Sequence, residues 1–120
     1  MVYFNFTYKL GNIMQISKPV IWCIGGIDPI CASGLAADLK AADFFNIQAN
    51  IIVSANTVQN NTDFISLNAV DDVVFLQQFQ IMTLTSTPKV IKTGLITTLK
   101  QVDILHDYLK ENPEIIYICD

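Results

Sequence analysis

Four continuous apolar runs, each closed by glycine or polar residues, constrain this chain more than any other feature. They are Val20 to Ile24, Ala49 to Ser54, Val90 to Thr93 and Ile115 to Cys119. Each is about the length of one strand, and continuous apolar character predicts burial on both faces of a sheet. A fifth segment, Phe64 to Val70, alternates weakly and reads as a short strand. The stretches between the runs have helical spacing. Strands alternating with helices of this length predict βαβ units and a mostly parallel sheet, an α/β fold.

The helical stretches carry their own punctuation. Ser33 can cap a helix running through Asn46, with Leu35, Leu39, Ala42 and Phe44 or Phe45 on its buried side. Thr57 to Asp63 is polar and reads as a loop. Asp71-Asp72 opens a second helix, where acidic residues suit the positive end of the macrodipole, and Val73, Leu76, Phe79 and Met82 give its apolar stripe. Pro88 stops that pattern. Thr98 and Gln101 have capping-box spacing. The helix they open puts Leu99, Val102, Leu105 and Leu109 on one face and Lys100, Asp103, Asp107 and Lys110 on the other, until Asn112-Pro113 ends it. The last run, Ile-Ile-Tyr-Ile-Cys, is patterned for a sheet interior and predicts a further strand, helix or subunit to cover it.

Composition narrows the class. Only 15% of the 120 residues are charged against 52% hydrophobic, so the surface should include apolar area meant for a partner. A net charge of −4 with no basic cluster argues against nucleic acid. No apolar run reaches membrane-span length. Cys23, Cys31 and Cys119 lack metal-ligand or CxxC spacing, and Cys23 and Cys119 sit within apolar runs as small hydrophobes. An odd count with no disulfide framework predicts a reducing cytoplasm. Residues 1–18 read as an N-terminal extension. Its first ten residues are aromatic-rich without the build of a signal peptide, and Met14 directly precedes the first strand. The domain proper is residues 19–120.

In open parallel sheets, ligands bind outside the carboxyl ends of the strands. Those ends carry Gly25-Gly26-Ile27-Asp28, then Ser54 to Asn60, then Lys92-Thr93-Gly94, then Asp120. The segment Gly25 to Lys40 is a glycine loop opening a helix, matching neither Walker A nor GxGxxG. Asp28, before Pro29, has two readings, a turn stabiliser or a ligand group. Lys92 is either a phosphate contact or a surface charge. His106, off the apolar stripe, reads as a solvated surface residue. Trp22 reads as packed in the sheet.

The segment from Gly25 to Lys40 resembles the opening signature of hydroxymethylpyrimidine/phosphomethylpyrimidine kinases, Ala-Gly-Ser-Asp-Pro-Ser-Gly-Gly-Ala-Gly-Ile-Gln-Ala-Asp-Leu-Lys. Ser54 to Asn60 resembles their Thr-Ala-Leu-Thr-Ala-Gln-Asn. Lys92-Thr93-Gly94-Leu95 resembles their Lys-Thr-Gly-Met, and the closing Ile-Tyr-Ile-Cys-Asp resembles the strand that continues into Asp-Pro-Val. Order and spacing agree across nearly all of Pro19 to Asp120. The resemblance implies a ribokinase-like three-layer α/β/α fold with a mostly parallel sheet, present as its N-terminal half.

It further implies ATP- and Mg²⁺-dependent phosphorylation of hydroxymethylpyrimidine and of its monophosphate, in thiamine biosynthesis. Carried over residue by residue, Gln59 would hydrogen-bond the pyrimidine edge, since an amide offers both a donor and an acceptor. Asp38 would contact the amino or hydroxymethyl side. Leu95 stands where a methionine packs on the ring, a volume-conserving exchange. Asp28 and Gly26 belong to the substrate loop. Several residues depart from the pattern. Ile27 replaces Ser or Thr, Cys31-Ala32 replace Gly-Gly, Ser33 replaces Ala and Ala36 replaces Gln. Two lost glycines remove freedom for positive φ and close approach to a ligand. The family's anion hole, its catalytic Cys or Asp and most of its ATP pocket lie beyond the matched part, so no catalytic or metal-binding residue is expected here. Partners expected are the aminopyrimidine and a second copy or a separate C-terminal half. The alternatives are a non-catalytic remnant or pyrimidine-binding module, and an unrelated doubly wound nucleotide-binding domain.

Overall fold

The computed structural model describes residues 18–120, so the proposed N-terminal extension lies almost wholly outside the described residues. Eight elements follow in order: β1 (Val20–Ile27), α1 (Gly34–Phe44), β2 (Gln48–Gln59), β3 (Phe64–Ala69), α2 (Asp72–Thr83), β4 (Val90–Thr93), α3 (Leu99–Glu111) and β5 (Ile116–Cys119). The sheet order is β3-β2-β1-β4-β5. All neighbours are parallel except β2 and β3.

The direction of each crossover sets the layers. From β1 the chain passes through α1 to β2 on one side. It then returns past β1 through α2 to β4, and steps on through α3 to β5. Right-handed crossovers that run in opposite directions place their helices on opposite faces. Side-chain alternation along β1 agrees. Trp22 and Ile24 join Phe75, Phe79, Ile104 and Leu105 in one core, while Ile21 and Cys23 face Ala41 and Ala42 of α1. Three α/β/α layers result, as the ribokinase-like expectation requires. Trp22 is fully buried, stacked on Tyr108 at 5.4 Å and edge-on to Phe79 at 6.0 Å.

Several local expectations give way to tertiary context. β1 runs on through Gly25-Gly26 to Ile27, and β2 runs to Gln59 rather than Ser54. The polar residues from Thr57 are strand because β3 folds back antiparallel and pairs Thr57 with Leu67. A hairpin partner supplies the backbone bonds that the side-chain pattern does not advertise. Helix α1 stops at Phe44, and its buried residues are Leu35 and Ala42; Phe44, Phe45 and Leu39 are exposed. In α2 the buried residues are Phe75 and Phe79, with Val73 and Leu76 exposed. The run Val73-Val74-Phe75-Leu76 is apolar all round, so two stripes fit it equally and packing chooses. In α3 the buried residues are Gln101, Ile104 and Leu105, while Leu99 and Val102 are exposed. β5 is exposed along its length, Cys119 included, because it is the last strand of the described sheet. His106 is on the surface, as its spacing predicts.

Gln101 explains why α3 turns as it does. Thr98 caps α3 by accepting from the Gln101 N–H at 3.0 Å, half of the expected capping box. The Gln101 side chain turns inward instead of back. Its Nε2 donates to the carbonyls of Ser54 at 3.0 Å and Val70 at 3.2 Å, and its Oε1 accepts from the N–H and hydroxyl of Thr97 at 3.0 Å each. Ser54 sits at a register shift, since Val53 pairs Gly25 but Ala55 pairs Gly26. The neighbouring Val53 has both backbone groups bonded by the Gln78 amide of α2, at 2.8 and 3.0 Å. Two buried or half-buried amides thus act as strand substitutes where the ladder slips.

The turn from β1 into α1 needs left-handed backbone twice, at Cys31 with φ 56 and Gly34 with φ 61. Cys31 therefore holds a glycine-type conformation without glycine. At Gly34 a Cβ would also lie 2.5 Å from the Gly26 carbonyl oxygen.

Two stability outcomes follow. Replacing Gln101 with Leu leaves buried backbone groups unpaired and should cost about 3 kcal/mol, at ~1–3 kcal/mol per orphaned group, read from urea unfolding midpoints at constant m. A loss below 1 kcal/mol would mean that the network is not a tie. Cys31→Gly should gain about 0.5–1 kcal/mol, because relieved left-handed strain exceeds the extra chain entropy. Gly34→Ala should lose more than about 2 kcal/mol in the same assay.

Candidate substrate site

The chain leaves β1 for one side of the sheet and β4 for the other, which opens a crevice between the two carboxyl ends. A cavity of about 420 Å³ lies there. Gly26, Asp28 and Ser33 come from the β1–α1 turn, Thr57 and Gln59 from β2, Phe64 and Leu67 from β3, Lys92 and Leu95 from β4 and the loop after it, and Asp120 from the end of β5.

Asp28 organises the turn. Its carboxylate accepts from the N–H groups of Ile30 (3.0 Å), Ala32 (3.2 Å) and Ser33 (3.0 Å) and from the Ser33 hydroxyl (2.8 Å). Ser33 stands at the N-cap position of α1, but its hydroxyl bonds Asp28 rather than the helix. Burial alone would raise the Asp28 pKa. The bonds from Ser33, Ile30 and the Gln59 side chain outweigh it and hold the carboxyl below its ordinary value. The carboxylate is therefore ionised, and its acceptor sites are taken by its own loop. Of the two readings of Asp28, the turn-stabilising one has the hydrogen bonds behind it.

Across the crevice, Leu95 is held by its backbone. Its carbonyl accepts a short hydrogen bond from the Ser54 hydroxyl, and its side chain is 40% exposed, facing the cavity. Leu95 also limits Gly26, where a Cβ would meet Leu95 Cδ2 at 3.0 Å. Thr57 closes the wall by donating to the Ile27 carbonyl at 2.9 Å. The cavity thus has an aliphatic face at Leu95, an aromatic at Phe64 and a half-buried amide at Gln59.

Asp38 is placed differently. It points to Lys92, whose Nζ lies 3.0 and 3.2 Å from its two oxygens and 3.0 Å from Asp120 Oδ2. Lys92 lines the large cavity, whereas Asp38 lines a smaller one of about 170 Å³ beside Cys23, Ala42 and Phe45. Burial would lower the Lys92 pKa, but bonds to Asp120 and Asp38 raise it above the ordinary lysine value. Lys92 is thus a doubly paired cation, neither a loose surface charge nor a ready phosphate contact. Burial, with Asp38 adding to it, pushes the Cys23 thiol up to about 11, which keeps it inert.

Of the sequence candidates, Gly26, Asp28, Gln59 and Leu95 come together in one cavity, and Asp38 reaches it only through Lys92. The pairing of Lys92 with Asp120 and the contribution of Phe64 and Leu67 from β3 were not foreseen. Asp120 could have been found from its place at a strand's carboxyl end. The β3 residues carried no such signal.

Known proteins share this arrangement. The family described as phosphomethylpyrimidine kinase matches residues 28–120. A hydroxymethylpyrimidine/phosphomethylpyrimidine kinase of Staphylococcus aureus (strain Mu50) is 25% identical over 106 residues, covering 88% of this chain and 38% of that protein. A probable thiamine biosynthetic bifunctional enzyme, chloroplastic, of Oryza sativa subsp. japonica is 24% identical over 106 residues, 88% of this chain and 19% of that protein. The chain thus spans well under half the length of these relatives. Among solved structures, phosphomethylpyrimidine kinase from Clostridium difficile 630 superposes with a TM-score of 0.79 at 19% identity, over 86% of this chain and 45% of that one. An ADP complex of Bacillus subtilis pyridoxal kinase gives 0.79 at 20% identity, over 87% and 40%. These structural likenesses establish the fold, and the match across residues 28–120 establishes that the chain belongs to the phosphomethylpyrimidine kinase family.

Proposed function

We propose that the cavity between β1 and β4 is the acceptor-substrate pocket of an ATP-dependent kinase. Its substrates would be hydroxymethylpyrimidine and its monophosphate, in thiamine biosynthesis. One observation carries this reading: Gly26, Gln59 and Leu95, from three separate segments, line one cavity at the switch point of the sheet. In this reading Leu95 packs on the ring, and Gly26 keeps the opposite wall open. The Gln59 amide pairs with the heterocycle edge, giving and receiving a hydrogen bond. Asp28 shapes the loop, and Asp38 acts by holding Lys92.

The described residues do not fit a nucleotide with its cation. Three N–H groups of the glycine turn already bond Asp28. Lys92 is matched by two carboxylates. Among the described residues no cluster of three or more His, Cys, Asp or Glu could hold a metal. Phosphoryl transfer needs donors aimed at the transferred group. Those donors, and the ATP and Mg²⁺ sites, would come from polypeptide beyond the matched part, in this chain or a separate one. No helix among the described residues is long and apolar enough to cross a membrane, and three free cysteines suit a reducing cytoplasm.

Binding tests the reading directly. Hydroxymethylpyrimidine should bind the 120-residue chain saturably by ¹H–¹⁵N titration. Gln59→Ala should weaken it about tenfold or more, the usual effect of losing a hydrogen-bonded edge in a closed site. Leu95→Met should leave affinity within about threefold, as volume-conserving exchanges do. Equal affinity in wild type and Gln59→Ala would sink the assignment.

The pH response of the loop has a fixed sign. Because the folded Asp28 pKa lies below its ordinary 3.8, its stabilising contribution is present above 3.8 and lost as pH falls through the lower folded value. The amide cross-peaks of Ile30, Ala32 and Ser33 should stay native down to about pH 4 and shift only below it. Movement beginning near about pH 6 would show that a different group holds the loop.

A further inference from the structure

Two carboxylates line the large cavity, and they differ in what they have left to offer. Asp28 receives four hydrogen bonds from its own loop. Asp120 is anchored by its backbone, where its N–H donates to the Thr93 carbonyl at 3.0 Å. Its Oδ2 lies 3.0 Å from Lys92 Nζ. No other partner of its side chain is found among the described residues, and that side chain is 73% exposed. The hydroxyl protons of Thr57 and Ser33 are already donated, to Ile27 and Asp28. The polar side-chain atoms left open to a ligand are therefore the Gln59 amide on one wall and Asp120 Oδ1 on the other.

Lys92 gives Asp120 a fixed direction. The same ammonium is gripped by both oxygens of Asp38 from α1, so it cannot swing into the cavity without breaking that pair. One cation stands against two carboxylates, leaving one net negative charge at this end. Such an end attracts a hydrogen-bond donor and repels a phosphate.

Resting on the pocket reading above, we infer that Asp120 is a further substrate-binding residue, accepting a hydrogen bond from the exocyclic amino group of the heterocycle, with Lys92 as its positioning residue. The ring is then read from two sides, its edge by Gln59 and its amino group by Asp120. The hydroxymethyl end, which carries phosphate in the monophosphate, points away from the Lys92 cluster. Asp38 contributes without touching ligand, by fixing Lys92.

The test is a binding titration of the wild-type chain, Asp120→Asn, Lys92→Met and Gln59→Ala, each with hydroxymethylpyrimidine and with the analogue whose amino group is replaced by hydrogen. Asp120→Asn should raise the Kd of the amino compound about tenfold, the scale of a charge-assisted hydrogen bond, and leave that of the analogue unchanged. Lys92→Met should reproduce the pattern more weakly. A native ¹H–¹⁵N spectrum of Asp120→Asn shows that its fold is intact. Two results overturn the inference while leaving the pocket standing: an unchanged Kd in Asp120→Asn when Gln59→Ala weakens binding, or an equal loss for both ligands. Absence of saturable binding by the wild type overturns the pocket reading and this inference with it.

Discussion

A single buried amide ties together the segments on which the rest of the molecule is hung. Gln101 bonds the carbonyls of Ser54 and Val70 and the N–H and hydroxyl of Thr97. These residues belong to β2, to the link between β3 and α2, and to the link between β4 and α3. None of these segments is satisfied by the ladder at those points, because β2 slips register against β1 and the loops depart in different directions. Burying polar backbone without partners is costly, so the amide decides whether the slip can exist. The slip in turn places the Ser54 hydroxyl on the Leu95 carbonyl and sets the aliphatic wall of the cavity. Packing of the α2–α3 core and shape of the site are therefore joined through one side chain.

The β1–α1 turn shows a similar economy on the opposite face. A carboxylate at its centre gathers three N–H groups and a hydroxyl, and the backbone is bent left-handed at two positions to allow it. That arrangement survives although Cys31 occupies one of the bent positions. Four inward hydrogen bonds can over-determine a conformation that the residue itself disfavours. Substitution of the glycines expected there changes the strain of the turn and not its path.

How much of this was legible beforehand depends on which interactions write into side-chain periodicity. Strand number, the alternation with helices and the layer order follow from short apolar runs, and those runs are present. The carboxyl-end rule led to Gly26, Gln59 and Leu95 before any coordinates, and all three share the cavity. What stayed hidden was long-range. Thr57 to Gln59 is strand through pairing with β3, although its residues are polar. The α2 stripe was ambiguous because its first turn is apolar all round. Gln101 looked like half of a capping box, and its inward turn depends on carbonyls from far along the chain. Asp38 matched the substrate position of a motif, yet its partner, Lys92, stands 54 residues away.

The lone tryptophan has a consequence for how the molecule can be watched. Trp22 is fully buried between Phe79 and Tyr108, and its indole N–H meets no acceptor among the described residues. It lies near the start of β1, while the cavity opens at the end of that strand. Its emission should therefore be blue, quenched by its aromatic neighbours and sensitive to loosening of the α2–α3 layer. It should also be nearly deaf to events at the carboxyl ends. Intrinsic fluorescence in this chain is a gauge of core integrity, and occupancy of the cavity has to be followed by some other signal.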